Sequence, residues 1–333
     1  MKEPDFTTYY NRKMDDSFIS TVISDFPWLI NFVKKTPELD FQTGHDPKQK
    51  RSWFSVYRGT GRVLTFNSRR NGYKLDAADA YKIIAPNGFF EHPTEDSFVE
   101  YLSRIRKAPN LKRYYESDKG KKEGFYQNLI GRRYTFNTKI EDGFIIIDKE
   151  MVVGFKDEDT KIAWNEDIKA HQEALIRKLR DKYNGTLPQD IPSMYGEFDF
   201  LAMTWNGDII IMELKQNDPQ KTSLSPIQVK FYNDQFRKLL KENNDISANI
   251  IDMVNQKVNL GIIIKPEGRS LPQKLSGKIH TCVIVGEEED LSPTMCNRFC
   301  FVRNQFLPDM KAYTCESDGT LIESKKLSEK KCL

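Results

Sequence analysis

The sequence predicts a mixed α/β protein with two domains. Two observations carry this prediction. From residue 164 onward, segments of helical and strand character follow one another in the order helix, strand, strand, helix, strand, strand, which is typical of a mixed central sheet flanked by helices. The chain has 333 residues, which is more than a single hydrophobic core usually serves. We therefore expect an α/β domain over residues 164–310, preceded by a separate α+β domain over residues 1–155.

The N-terminal domain is predicted from two strand pairs and two helices. The first strand pair is joined by a glycine-containing turn at residues 58–62, which is typical of a β-hairpin. In chain order the segments are strands over residues 52–57 and 63–67, helices over residues 76–84 and 94–107, and strands over residues 143–148 and 151–155. Residues 156–161 are interpreted as a charged linker.

The C-terminal domain is predicted to begin with a helix over residues 165–183, because its apolar residues recur at spacings of seven and four. Two strands follow, of which the first carries Glu197 and Asp199 and the second carries Glu213 and Lys215. The remaining predictions are strands over residues 258–264 and 278–285 and a polar tail over residues 316–333.

A second helix of this domain is predicted over residues 225–242. Ser225 suits its N-cap, Pro226 suits the first helical position, and Gln228 stands where a capping box places its second member. A helix that begins there leaves residues 216–224 as a loop.

Composition limits the classes of protein that fit. Hydrophobic residues make up 38% and charged residues 30% of the chain, and no apolar run reaches the roughly 20 residues that cross a bilayer. We therefore expect no membrane role. The first residues lack a basic segment followed by an apolar one, so no secretory signal is predicted and a cytoplasmic location is expected.

The five cysteines all lie in the last 52 residues, and their number is odd. In a reducing compartment such cysteines are expected to be free thiols. A zinc site at Cys296 and Cys300, with His280 and Cys282 nearby, is the alternative, although the spacing lacks the usual C-x2-C pairs.

Positive charge is concentrated between residues 101 and 140. This window holds eleven basic and three acidic residues interleaved with aromatic ones, although the net charge of the whole chain is only +3. Such a segment suits a phosphate backbone and exposed bases, and a solvated helical face is the alternative. The residues predicted to contact nucleic acid are Lys112, Arg113, Lys121, Lys122, Arg132 and Arg133, together with Lys230 of the C-terminal domain.

The carboxylates of the C-terminal domain lie in strands that are otherwise apolar. A buried charge must be paired, hydrogen-bonded or bound to a metal, so their presence calls for a partner. Asp199 and Glu213 share a face of the sheet only if the turn between their strands has three residues or a bulge shifts the register, because a two-residue Asn206-Gly207 turn would pair Asp199 with Leu214. We predict that shift.

A metal ion is the simplest partner for these carboxylates. Asp199 and Glu213 would bind Mg²⁺, a hard cation that prefers oxygen ligands, and the backbone carbonyl of Leu214 is a further candidate ligand. Mn²⁺ is expected to substitute. Lys215 would orient or deprotonate a metal-bound water. A buried salt-bridge cluster without metal is the alternative.

Asp199 followed after thirteen residues by Glu213-Leu214-Lys215 resembles the PD-(D/E)XK nuclease superfamily, in which an aspartate on one strand precedes Glu-x-Lys on the next. Phe198 stands where the motif's name has proline. The resemblance covers about residues 164–302 and implies a restriction-endonuclease-like core. It also implies an acidic metal ligand on the preceding helix, for which Glu173 is the candidate and an ordinary solvated glutamate the alternative.

Gln228 and Tyr232 form a Gln-x-x-x-Tyr pattern that looks like the signature of the branch containing RecB and lambda exonuclease. Residues four apart share one helix face, and the resemblance implies that both would touch the substrate near the metal. The alternative is that Gln228 serves the capping box and Tyr232 packs in the core.

The expected function is an Mg²⁺-dependent deoxyribonuclease, with DNA as its partner. A non-catalytic nucleic-acid-binding protein of the same fold and a ribonuclease are the alternatives. Exonuclease and endonuclease action both stay open, as does a homo-oligomer or a partner protein bound through the N-terminal domain.

Overall fold

The computed structural model describes residues 7–112, 115–117, 120–183, 187, 196–216, 218–288 and 291–328. It is a mixed α/β structure, which confirms the predicted fold class at that level. Among the described residues, no helix is both long enough and apolar enough to cross a lipid bilayer.

The strands are β1 (Thr8–Tyr9), β2 (Asp40–Asp46), β3 (Arg51–Arg58), β4 (Gly61–Arg69), β5 (Gly72–Asp76), β6 (Glu116–Ser117), β7 (Gly120–Lys121), β8 (Phe144–Met151), β9 (Gly154–Phe155), β10 (Phe198–Thr204), β11 (Ile209–Lys215), β12 (Ile279–Val285), β13 (Lys311–Cys315) and β14 (Leu321–Glu323). The helices are α1 (Asp16–Asp25), α2 (Leu29–Lys35), α3 (Asp79–Lys82), α4 (Glu95–Lys107), α5 (Pro109–Lys112), α6 (Glu123–Arg133), α7 (Glu158–Lys182), α8 (Pro219–Glu242), α9 (Asp245–Asn259), α10 (Pro293–Phe306) and α11 (Lys325–Ser328).

The chain divides into two compact units. The six-strand unit comprises the described residues within Met1–Tyr10, Gly143–Ala248 and Ser270–Leu333. The four-strand unit comprises those within Asn11–Asp142 and Asn249–Arg269. The predicted boundary near residue 155 differs from this division, because β8 and β9 lie in the six-strand unit.

The six-strand unit is built on a mixed sheet with the strand order β14, β13, β12, β11, β10, β8. Strand β10 is antiparallel to both of its neighbours, β8 and β11. Strands β11, β12 and β13 run parallel to one another, and β14 is antiparallel to β13. The middle strands β10, β11 and β12 are almost entirely buried, as expected for strands covered on both faces. Helix α8 packs on β11 and β12 and also contacts α7 and α10.

Two predicted elements beyond residue 155 are wrong. Residues 258–264 were expected to form a strand, but α9 continues to Asn259 and the apolar residues after it form no strand. The charged stretch 156–161 was interpreted as a linker, but α7 begins at Glu158, where the Asp157 side chain accepts the Thr160 N–H and so caps the helix. The predicted tail contains β14, which pairs with β13, and α11.

The four-strand unit is an antiparallel meander in which β2, β3, β4 and β5 follow one another. Its core is rich in aromatic side chains from the sheet and from α1, α2 and α4. The predicted hairpin is confirmed: Arg58 pairs with Gly61, leaving a two-residue turn. Gly59 occupies this turn at φ 60°, and a Cβ there would lie 2.9 Å from the Gly124 carbonyl oxygen.

Candidate active site

The turn between β10 and β11 sets which residues of the two strands face each other. Thr204 N–H donates to the Asp208 carbonyl at 2.9 Å, which closes a loop of the three residues 205–207. The ladder then pairs Met203 with Ile209 and continues to Phe200 and Met212. The predicted one-residue shift is therefore confirmed.

This register brings the candidate carboxylates together. Continued one step beyond its last pair, Phe200 and Met212, this register sets Asp199 opposite Glu213. Hydrogen-bonded and non-hydrogen-bonded pairs alternate along an antiparallel ladder, so counting from Thr204 places Asp199 and Glu213 at a non-hydrogen-bonded position, where side chains approach most closely. Lys215 lies two residues beyond Glu213 and so occupies the same face of the sheet.

Asp199 is half-buried and holds the end of the hairpin. Its Oδ2 accepts the Leu214 N–H at 2.7 Å. The regular ladder ends at Phe200, so the carboxylate of Asp199 accepts an N–H that in a continued ladder would donate to the β10 backbone. The N–H and C=O of a strand residue point to the same side, which directs the Leu214 carbonyl toward β10 as well.

Glu213 and Lys215 form a buried ion pair. The Lys215 Nζ donates to Glu213 Oε1, and the side chains are 3% and 11% exposed. Two charges in the interior of a sheet are costly to desolvate, and a nearby charge of opposite sign offsets that cost. The pair holds one positive and one negative group on the face that also carries Asp199.

The predicted residues Gln228 and Tyr232 lie beside this group. Gln228 Nε2 donates to the Tyr232 hydroxyl at 2.7 Å, and that hydroxyl donates to the Glu197 carbonyl oxygen at 3.1 Å. Tyr232 is 2% exposed. Burial raises its pKa, and the neighbouring carboxylates of Glu213 and Asp199 raise the pKa further, so the phenol is neutral and can donate.

The alternative role of Gln228 in a capping box is wrong. Helix α8 begins at Pro219, and the Asp218 side chain caps it by accepting the Lys221 N–H. Ser225 therefore lies inside the helix. Pro226 has no N–H for the Thr222 carbonyl, and the Ser225 hydroxyl donates to that carbonyl at 2.7 Å.

The predicted third acidic ligand is not brought into the group. Among the residues that the structure describes, no set of three or more His, Cys, Asp or Glu side chains is arranged to hold a metal ion. On α7 the buried position is taken by Gln172, whose Nε2 donates to the Ile227 carbonyl at 3.3 Å. Glu173 lies one residue further, roughly 100° around the helix, and is half-buried.

Sequence reasoning missed one acidic residue near Asp199. Glu150 lies on β8 between Lys149 and Met151, which pair with Phe200 and Phe198 of the neighbouring strand β10. This register sets Glu150 opposite Asp199. It adopts φ 48°, a left-handed conformation that non-glycine residues seldom take. The signal available was an apolar strand ending in Asp-Lys-Glu, but that strand was assigned to the N-terminal domain.

The oxygen atoms available as ligands at the ends of β10 and β11 suit a hard divalent cation. Asp199 and Glu213 supply two carboxylates, and the Leu214 carbonyl is directed to the same side. Protein Mg²⁺ sites commonly use one or two carboxylates and retain several waters, so a two-carboxylate site fits this ion although no larger cluster is formed by the described residues.

The residues predicted to contact nucleic acid differ in their exposure and in their partners. Arg113 lies outside the described residues. Lys112 is exposed on α5, and Lys122 is half-buried at the N-cap of α6. Lys121 Nζ lies 3.2 Å from Glu116 Oε2 and 4.4 Å from the centre of the Phe125 ring.

Arg132 and Arg133 are buried, which corrects their prediction as surface contacts. The Arg132 guanidinium donates to the main-chain carbonyls of Val33, Lys34 and Leu39, beside the end of α2. Arg133 forms a bidentate pair with Asp142 at 2.6 and 2.9 Å. Both guanidinium groups therefore hold the four-strand unit together.

Lys230 of α8 is half-buried and paired. Its Nζ lies 2.5 Å from both carboxylate oxygens of Asp234, one helical turn further along. A lysine held this way presents less charge to a phosphate than an exposed one.

The cysteines Cys282, Cys296, Cys300 and Cys315 are free thiols, and Cys332 lies outside the described residues. Burial raises the pKa of the Cys282, Cys296 and Cys315 thiols, which keeps them protonated and disfavours thiolate chemistry.

No family model, no curated protein and no solved structure matches this chain.

Proposed function

We propose that the protein is an Mg²⁺-dependent nuclease that hydrolyses phosphodiester bonds of DNA, with a core of the PD-(D/E)XK type. One observation carries the proposal. The register of β10 and β11 sets Asp199 opposite Glu213 and puts Lys215 on the same face, at the point where the regular ladder ends.

The residues of this face would have different roles in binding the metal and in hydrolysis. Asp199, Glu213 and the Leu214 carbonyl would hold the cation. Mg²⁺ bound there would supply a Lewis acid for the phosphate and lower the pKa of an attacking water. Lys215 carries its positive charge on the same face, where it would orient that water and offset charge developing on the phosphate.

Gln228 and Tyr232 would position the strand that carries Asp199. The Tyr232 hydroxyl holds the Glu197 carbonyl, two residues before Asp199, and Gln228 holds the hydroxyl. The phenyl ring also packs on Phe198, with ring centres 5.5 Å apart. This assembly restricts the freedom of β10 where it leaves the regular ladder.

A second function is favoured by the burial of Glu213, which is only 2% exposed. In a non-catalytic nucleic-acid-binding protein, Glu213 and Lys215 would be only a structural ion pair. The two functions differ in whether the protein cleaves nucleic acid and whether that cleavage needs the carboxylate of Asp199.

The test is cleavage of end-labelled linear, closed circular and single-stranded DNA, and of RNA, with Mg²⁺ or Mn²⁺. We expect Asp199→Asn to lower cleavage by about a hundredfold or more, because it removes a metal-binding charge. An asparagine oxygen can still accept the Leu214 N–H, so the fold is retained.

Asp208→Asn is the matched control. Asp208 lies at the opposite end of the same hairpin, where it accepts from Ser276 Oγ at 2.5 Å. We expect this variant to cleave normally. Unchanged cleavage by Asp199→Asn, or no metal-dependent cleavage of any substrate by the unaltered protein, would overturn the proposal. Resistance of circles would indicate attack from an end, and linearised circles would indicate internal cutting.

A further inference from the structure

A cavity of about 460 Å³ lies in the four-strand unit, beside α1 and the tips of two β-hairpins. Cavities of this size hold small molecules in many proteins. Three basic side chains line it: Lys50 from the turn between β2 and β3, Arg69 from the end of β4, and Arg70 from the turn that follows β4. The nuclease proposal assigns no role to this cavity.

The positive charge of the cavity is not neutralised by the protein. In the part of the chain that the structure describes, the side chains of Lys50, Arg69 and Arg70 form no hydrogen bond or ion pair. Asp15 is the one carboxylate among the lining residues, and burial lowers the pKa of His45, which keeps that ring neutral near pH 7. Three cations and one anion give the lining a formal charge of +2.

The wall beside these cations is polar and fixed in place. Ser52 connects it: its N–H donates to Ser68 Oγ at 2.8 Å, and its hydroxyl lies 2.9 Å from His45 Nδ1. The same hydroxyl accepts the Asp15 N–H at 2.8 Å. These hydrogen bonds, which join three segments of the chain, therefore fix the positions of His45 and Ser68 in the cavity wall.

Phe18 of α1 adds an aromatic surface to the lining. The cavity thus combines unpaired cations, an aromatic side chain, and a hydroxyl and imidazole that can exchange hydrogen bonds. A nucleotide has the matching groups, since its phosphate is anionic and its base has an apolar face and polar edges.

We propose that this cavity binds a nucleoside monophosphate unit, with its phosphate on Lys50, Arg69 and Arg70 and its base beside Phe18, His45 and Ser68. The unit is either a free nucleotide or the terminal nucleotide of a strand. The proposal does not depend on nuclease activity, because none of the cavity residues belongs to the six-strand unit.

The backbone of Lys50 fits a binding role. It adopts φ 49°, in the left-handed region that is unfavourable for lysine and favourable for glycine. A glycine there would relieve this conformation and remove the charge. We therefore expect Lys50→Gly to unfold at the same temperature as the unaltered protein or a higher one, and yet to bind the nucleotide more weakly.

The test is calorimetric titration of the full-length protein in EDTA, so that metal-dependent cleavage plays no part. The probes are the four 2′-deoxynucleoside 5′-monophosphates, the four nucleosides, and a single-stranded tetranucleotide with and without a 5′-phosphate. We expect the triple variant Lys50→Gln, Arg69→Gln, Arg70→Gln to weaken binding of a phosphorylated probe by about tenfold or more. Lys74→Gln, on β5 but outside the cavity, is the control for loss of a positive charge elsewhere on the same sheet and should bind normally.

Binding of a monophosphate that the triple variant loses would support the proposal and identify a free nucleotide as sufficient. Binding of only the 5′-phosphorylated tetranucleotide would support it and identify a strand end. Equal binding of every phosphorylated probe by the unaltered protein and the triple variant, or binding by neither, would overturn it. Loss of DNA cleavage in Asp199→Asn tests the nuclease proposal separately.

Discussion

Arg132 in the four-strand unit and Lys215 in the six-strand unit are both buried cations, but their partners differ. Arg132 donates to three main-chain carbonyls. Lys215 pairs with the side chain of Glu213, on a sheet face that also carries Asp199. A guanidinium that satisfies backbone carbonyls completes a fold, whereas ionisable side chains gathered at the end of a ladder can also hold a ligand.

This contrast shows why burial of a charge does not by itself identify a functional site. Both sites pay a desolvation cost, and both offset it with hydrogen bonds. The useful distinction is which groups would lose a partner if the charge were removed. For Arg132 these are main-chain carbonyls in and after α2, and for Lys215 they are other ionisable side chains. Measurements of stability and of cleavage should separate the two.

The largest effect on stability is expected for Arg132→Met. It would leave the carbonyls of Val33, Lys34 and Leu39 without their donor, and we expect the free energy of unfolding to fall by about 4 kcal/mol. Urea denaturation measures this change. Arg104→Met is the control, because Arg104 is exposed, pairs with Glu100 on its own helix and makes one further contact, a 3.4 Å hydrogen bond to the Ala85 carbonyl. Its cost should therefore stay below about 1 kcal/mol. Equal costs for the two variants would contradict the structural role of Arg132.

The second largest effect is expected for Lys215→Met. Removing the cation leaves Glu213 buried without the lysine that pairs with it, which we expect to cost about 3 kcal/mol. The double variant Glu213→Gln, Lys215→Met should recover most of that loss, since it removes both charges. Denaturation of the two single variants and the double variant gives the coupling energy.

A coupling energy near zero would mean that the two side chains do not stabilise each other, and the contrast with Arg132 would then fail. Cleavage assays on the same variants answer a separate question. We expect the double variant to recover its stability and to show no cleavage. That result would mean that the pair is required for chemistry and not for folding.

The local pattern of the sequence was enough to place the hairpin that carries the carboxylates. Side chains alternate along a strand, so the requirement that Asp199 and Glu213 share a face is enough to predict the register. Gln228 and Tyr232 were also placed correctly beside each other, since residues four apart meet on a helix.

Long-range contacts account for what the sequence could not predict. Arg132 bonds to the Val33 carbonyl, 99 positions away, and composition cannot distinguish such an arginine from a solvated one. Strand β8 pairs with β10, which follows it only after the long helix α7. At Ser225 the local signal for a helix start was present, but Asp218 and Pro219 offered an earlier start of equal quality.

The smallest effect on stability is expected for Tyr232→Phe, which removes a hydroxyl and keeps the ring. The Glu197 carbonyl would lose its donor and Gln228 its acceptor, at a cost of about 1 kcal/mol in the free energy of unfolding. Because this hydroxyl fixes β10 two residues before Asp199, we expect cleavage to fall by about tenfold to a hundredfold, as for residues that orient a metal ligand.

Denaturation and cleavage rates measured on Tyr232→Phe separate positioning from packing. Phe236→Leu is the control, since Phe236 is buried on the same helix and carries no hydroxyl. We expect this control to lose stability and to keep its cleavage rate while it stays folded. If Tyr232→Phe loses stability and still cleaves normally, the tyrosine only packs, and the six-strand unit then resembles the four-strand unit in using its buried polar groups for structure.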